Sequence, residues 1–73
     1  MWHNNKKVLM TYASHHSQNC WANIDTIGWR KIKSGATDGV TNLYFMMCAA
    51  KANERLVNVH IDNDNQIDIA YLK

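Results

Sequence analysis

The feature that most constrains this chain is a long apolar stretch near its middle, residues 38–53, which is predicted to form its one helix. Thr37 or Asp38 is placed to cap the start, because a short side-chain oxygen accepts a hydrogen bond from a first-turn amide. Asn53 suits the end, since Asn tolerates the left-handed backbone that ends many helices. The stretch contains no Pro and is rich in good helix formers.

Apolar side chains cover most of the circumference of this predicted helix. They form two stripes at helical spacing: Val40, Leu43, Met47 and Ala50 in one, and Phe45, Cys48, Ala49 and Ala52 in the other. Lys51 is the only charged residue between Asp38 and Glu54. A surface helix of a small domain needs one apolar stripe, so the second predicts a contact outside the chain.

We therefore expect a homo-oligomer, because a domain of 73 residues has little further surface with which to cover a second stripe. The expected interface consists of five consecutive helix residues: Leu43, Tyr44, Phe45, Met46 and Met47. The alternative is a single thick core that leaves Met46 or Phe45 partly exposed.

Composition limits the class of ligand. Only 19% of residues are charged and the net charge is +2, whereas Asn is unusually common. A surface that is polar through amides and hydroxyls suits a neutral, hydrogen-bonding ligand, and nucleic-acid modules usually carry a concentrated basic stripe. Nucleic acid is therefore the less favoured partner.

The sequence contains neither a membrane-spanning segment nor a secretory signal. Its apolar runs are shorter than the ~20 residues that cross a bilayer, and residues 1–7 lack the apolar core of a leader. We expect a cytoplasmic protein, or a secreted one if a leader has been removed.

Strands account for most of the remaining chain. Alternation and β-favouring residues predict five of them: residues 7–13, 20–27, 29–33, 55–62 and 66–72. Gly28 marks a bend, so the third is either a separate strand or the far half of the second. The polar residues 14–19 form a loop and residues 63–65 a tight turn.

The order strand, strand, strand, helix, strand, strand is that of the OB-fold, a five-stranded, partly open barrel. The predicted fold class is α+β, mainly β, with one OB-fold-like domain over residues 1–73 and its helix between the third and fourth strands. Cys20 and Cys48 are too few for a disulfide framework. Two free buried thiols, or one bond between strand and helix, are both compatible with this fold.

No motif predicts catalysis, a metal or a cofactor. Neighbouring residues of an extended segment point opposite ways, so the pair His15-His16 supplies at most one ligand, and no Cys or acidic partner stands at zinc-site spacing. Residues 62–66 alternate Asp and Asn as an EF-hand loop does, but they lack its Gly and its bidentate Glu. No strained elbow exposes a nucleophile. We expect a protein that is not an enzyme.

Aromatic residues beside the polar loop are the best indication of a ligand site. Trp21 and Trp29 flank the bend at Gly28, and Tyr12 precedes the loop. Aromatic faces stack on sugar rings or bases, while amides, hydroxyls and guanidinium groups bind their polar atoms. The predicted ligand-binding residues come from the loop and from the pair after the bend: Ser14, His15, His16, Gln18, Asn19, Trp29 and Arg30. The same features also fit a solvated loop and core tryptophans.

The second half of the chain resembles the pentameric B subunits of bacterial toxins, in the pertussis-like and subtilase-cytotoxin-like branch. The likeness lies in the aromatic helix of residues 43–53, a short polar turn and the alternating strand of residues 56–61. It implies a pentameric ring whose pore is lined by the helix and whose neighbouring strands pair. It also implies binding of cell-surface glycans, often sialylated, and a companion catalytic A chain. A free-standing lectin without that chain is equally compatible.

Two other functions remain open at this point. A single-stranded nucleic-acid-binding OB module would stack bases on Trp21, Trp29 and Tyr12. A scaffold or inhibitor subunit would dock another protein through its exposed face.

Overall fold

A computed structural model describes residues 1–16, 18–36 and 38–73 of the chain. Ser17, which belongs to the predicted polar loop, and Thr37, one of the two predicted helix caps, lie outside the described residues.

Within the described residues the chain has five strands and one helix, in the predicted order. They are β1 (Trp2–Ala13), β2 (Cys20–Ile24), β3 (Gly28–Lys31), α1 (Gly39–Ala52), β4 (Leu56–Ile61) and β5 (Ile67–Leu72). The mainly β class and the position of the helix between the third and fourth strands are confirmed. β3 is a separate strand, because Gly28, at φ 90°, ends a tight turn that brings it back antiparallel to β2.

All five strands form one sheet in the order β3-β2-β1-β4-β5, with antiparallel neighbours throughout. β1 is long enough to serve both halves, since its first part pairs with β4 and its second with β2. The sheet is not closed into a barrel. Among the described residues its outer strands meet in a single parallel bridge between Ile32 and Ile67, so the predicted barrel is open along the β3–β5 seam.

The core lies between the inner face of the sheet and the helix. β4 shows the alternation most clearly, with Val57, Val59 and Ile61 buried and the residues between them turned outward. Val40, Met47 and Ala50 are the buried residues of the helix. One helical stripe therefore packs on the domain's own sheet, as an amphipathic helix does.

The helix ends differ from the sequence prediction in two details. Asp38 occupies the N-cap position, but its side chain makes no capping hydrogen bond with the described residues. Asn53 ends the helix at φ −104°, and its side-chain amide donates to the carbonyl of Ala49 at 2.9 Å. The left-handed residue is the next one, Glu54, at φ 52°.

Candidate functional site

Three aromatic side chains form an open platform on the outer face of β1, β2 and β3. Tyr12 lies directly opposite Trp21 across the β1–β2 pair. Trp29, on β3, lies opposite Asn23, which is two residues along β2 from Trp21. The three line a shallow apolar hollow of about 280 Å³. They share a face because the inward positions of β2 are filled by Ala22 and Ile24, both fully buried.

A hydrogen-bond network in the β1–β2 loop fixes one ring of the platform. Trp21 Nε1 donates to Asn19 Oδ1 at 2.9 Å, and Asn19 Nδ2 donates to Ser14 Oγ at 2.8 Å. Ser14 Oγ also accepts from the backbone amide of His16 at 3.3 Å and lies 3.1 Å from its Nδ1. The loop thus orients the Trp21 indole through Asn19 and leaves the apolar ring face available.

The loop residues predicted to contact ligand fall into different places. Ser14, His16 and Asn19 belong to the hydrogen-bond network that ends at the Trp21 ring nitrogen. His15 is exposed, with its ring 4.3 Å from that of His16. Gln18 is turned towards the segment before the helix, where its Oε1 accepts from the Gly35 amide at 2.8 Å. The structure therefore places Gln18 away from the platform.

Arg30 follows Trp29 but starts from the opposite face of β3, since it pairs with the buried Ala22. Its Nη1 donates to the Trp29 carbonyl at 2.8 Å. Its Nε is buried and has no hydrogen-bond partner among the described residues. Arg30 lines a polar hollow of about 520 Å³ that His3, Thr26 and Asn63 also border.

A third hollow, of about 240 Å³ and called the groove below, continues from the platform to the β4–β5 turn. Its lining combines two indoles, two cations, one carboxylate and two amides: Trp21, Trp29, Arg30, Lys31, Asp64, Asn65 and Gln66. The groove thus offers an apolar floor with hydrogen-bonding groups at one end.

The β4–β5 turn that borders this groove is held by one carboxylate. Asp62 Oδ1 accepts from the backbone amides of Asp64 and Gln66 at 2.9 and 3.0 Å, while its Oδ2 accepts from Lys33 Nζ at 2.8 Å. The hydrogen bond from Lys33, followed by that from the Gln66 amide, lowers the pKa of Asp62. An ionised Asp62 therefore keeps the turn in place.

Of the helix residues expected at an oligomer interface, one is clearly presented to solvent. Phe45 is 74% exposed, whereas Leu43 and Tyr44 are half-buried against the core and Met46 is half-buried. Met47 is fully buried in the domain's own core. Met47 therefore has no surface for a neighbour, because it belongs to the stripe that packs on the sheet.

The two cysteines are free and half-buried. Cys48 Sγ lies 3.8 Å from Thr11 Oγ1, within the range of a weak sulfur hydrogen bond. Burial, and secondarily the neighbouring Cys48, raise the pKa of the Cys20 thiol.

Sequence reasoning missed a second aromatic cluster, on the outer face of β1, β4 and β5. The rings of Trp2 and Tyr71 stack with centroids 5.5 Å apart, and His60 meets Trp2 edge-on at 5.2 Å. His60 Nδ1 lies 2.7 Å from Asp68 Oδ1. The three aromatics lie far apart in the sequence, and only the β1–β4–β5 pairing could have brought them together in a prediction.

Over residues 1–16, 18–36 and 38–73, no group of three or more His, Cys, Asp or Glu side chains is arranged to hold a metal ion. No helix in that same part of the chain is both long enough and apolar enough to cross a bilayer. No family model, curated protein or solved structure matches the chain.

Proposed function

We propose that this chain is a carbohydrate-binding module that acts as a homo-oligomer and recognises cell-surface glycans. The observation that carries the sugar-binding proposal is the exposed platform of Tyr12, Trp21 and Trp29, with one indole held by a hydrogen bond at its ring nitrogen. Platforms of this kind suit the apolar face of a pyranose ring, because exposed aromatic surface is covered without a charge being desolvated.

The position of the platform supports the same proposal. OB-folds bind oligosaccharides and oligonucleotides on the face of strands 2 and 3, between the loop joining strands 1 and 2 and the loop joining strands 4 and 5. Here Trp21 lies on β2, Trp29 lies on β3, and the turn from Asp62 to Gln66 closes one end of the groove. Asn65 and Gln66 are suitable partners for sugar hydroxyls.

Arg30 and Lys31 favour a second candidate, a single-stranded nucleic acid whose bases stack on the same rings. Such binding also needs cations that follow the phosphate backbone, and Asp64 in the same groove offsets part of their charge. The groove therefore favours a sugar, with Arg30 available to a carboxylate if the sugar is acidic.

Self-association is the second part of the proposal. Phe45 and the Trp2–Tyr71 cluster leave apolar surface exposed on a domain whose size limits its own core. Each sugar site of such a module is expected to be weak, and several copies would compensate by binding together. The pentameric ring and the companion catalytic chain implied by the toxin resemblance stay predictions.

A glycan array with the intact protein, repeated at about 50 and 200 mM salt, tests the function. We expect hits whose strength for neutral glycans hardly changes with salt, and loss of these hits in Trp29→Ala. An array without hits, combined with single-stranded DNA binding that falls steeply with salt, would establish the nucleic-acid function instead.

A further inference from the structure

The outer strand β5 has one edge without a strand partner. It pairs with β4 along its other edge. On the open side, Ile67 meets Ile32 in one bridge and accepts a backbone hydrogen bond from Lys33 at 2.9 Å. Beyond that point no strand of the described chain pairs with residues 68–72 on that side.

The register with β4 fixes which backbone groups of β5 face this open edge. The amide of Lys73 donates to the carbonyl of Leu56 at 2.9 Å, so these two residues form a hydrogen-bonded pair. Such pairs alternate with non-bonded ones along an antiparallel ladder. Tyr71 and Ile69 therefore bond to β4, whereas the N–H and C=O groups of Ala70 and Leu72 point away from it.

The side chains at this edge are apolar and uncharged from residue 69 to residue 72. Ile69, Tyr71 and Leu72 are 44%, 60% and 43% exposed. Natural edge strands of this kind are usually protected by Lys, Pro or an inward-pointing charge. An unprotected edge with donors and acceptors in register is a surface for another strand.

We propose that this edge binds the same edge of a second copy of the chain, antiparallel, with the two-fold axis through Ala70. Ala70 then lies opposite its own counterpart, and its outward N–H and C=O groups bond across the axis. The same register places Ile69 opposite Tyr71 of the second copy, which is a favourable pair of β-branched and aromatic residues.

Charge complementarity supports a second copy as the occupant. The charges flanking the apolar edge are Asp68 at one end and Lys73 at the other. In this register Asp68 of one copy stands opposite Leu72 of the other, one position from Lys73, and no like charges stand opposite each other. The inference names an interface for the proposed self-association and rests on it, but it does not depend on sugar binding.

The test is molar mass in solution for the intact chain and three variants. Ala70→Pro removes the outward N–H without touching the β4 ladder, since Pro is tolerated on a strand edge that faces solvent. Tyr71→Lys adds a protecting charge at a side chain that is 60% exposed. Met10→Lys is the matched control, because Met10 is 51% exposed on the central strand β1.

For the wild type and the control we expect an even multiple of the 8.4 kDa chain mass. Ala70→Pro and Tyr71→Lys should halve it and retain the wild-type circular dichroism. If Ala70→Pro does not fold, Tyr71→Lys decides. A wild-type mass of five chains, or variants that keep the wild-type mass, would overturn this interface and leave self-association standing. A monomeric wild type would overturn both this interface and self-association. Sugar binding on the array is a separate result that none of these masses decides.

Discussion

Trp21 and Asn19, two residues apart in the sequence, are joined by a hydrogen bond of 2.9 Å from the indole nitrogen to the amide oxygen. The indole nitrogen is the only polar atom of the ring, and this bond engages it with a residue of the β1–β2 loop. Because the ring is already oriented, a ligand that stacks on it loses less side-chain freedom on binding. This hydrogen bond connects the polar β1–β2 loop to the aromatic platform.

The first prediction concerns this link. Asn19→Ala removes the acceptor for Trp21 and the donor to Ser14 Oγ, and we expect about 1 kcal/mol of lost stability. Sugar affinity should fall roughly three- to tenfold, by up to about 1.4 kcal/mol, because the ring is no longer held. Asn19→Asp is the control, since it keeps the acceptor and should keep most of the affinity. Calorimetric titration checks both variants, and equal affinities for Asn19→Ala and wild type would contradict the role of the loop.

The second prediction compares two tryptophans of equal exposure. Trp29 and Trp2 are both 42% exposed, but only Trp29 belongs to the platform. With a soluble monovalent oligosaccharide, Trp29→Ala should weaken binding about tenfold or more, while Trp2→Ala should leave the dissociation constant unchanged. Similar losses in the two variants would mean that binding is not localised on the platform.

Much of the fold was predictable because the patterns of β4, β5 and the helix are local. The predicted first strand lacks residues 2–6 of β1, because His3, Asn4, Asn5 and Lys6 are polar and show no apolar alternation. They are held there by pairing with β4, which is remote in sequence, across an irregular register at Asn5, where φ is 58°. Pairing partners are tertiary information that a local pattern does not contain.

The candidate site was only partly predictable for a similar reason. Trp29 was named from its neighbourhood in sequence, but Trp21 and Tyr12 join it through the β1–β2–β3 register. Gln18 stands beside these residues in the chain, but its side chain bonds to Gly35. Arg30 borders the groove although it starts from the opposite face of β3, and composition reveals neither placement.

The third prediction separates the two stripes of the helix. Met47 is fully buried and Phe45 is 74% exposed. Met47→Ala should destabilise the domain by about 2–5 kcal/mol through the cavity it leaves, whereas Phe45→Ala should change stability by no more than about 0.5 kcal/mol. Urea unfolding measures both. If the helix contributes an oligomer contact, Phe45→Glu should lower the molar mass without unfolding the chain, and an unchanged mass would exclude Phe45 from the interface.

The fourth prediction is a pH dependence set by Asp62. Its pKa is lowered in the folded chain by Lys33 and by the Gln66 and Asp64 amides. The stability it contributes is therefore fully present above the unfolded-state pKa of about 3.9 and is lost as the pH falls through the lower folded pKa. Between neutral pH and pH 3 the urea midpoint should fall less in Asp62→Asn than in wild type. Asp64→Asn is the control. It removes a carboxylate of the same turn that is farther from Lys33, at 3.8 Å, and largely exposed. An identical fall in wild type and Asp62→Asn would contradict this role.

Sugar binding on the platform is tested by a titration followed through the indole N–H signals of Trp2, Trp21 and Trp29 in a proton–nitrogen correlation spectrum. The ligand is a soluble oligosaccharide that binds on the array, or a mixture of lactose, cellobiose and chitotriose if none does. We predict saturable shifts of the Trp21 and Trp29 signals, with the Trp2 signal unchanged. Unperturbed Trp21 and Trp29 signals throughout the sugar titration would contradict this prediction.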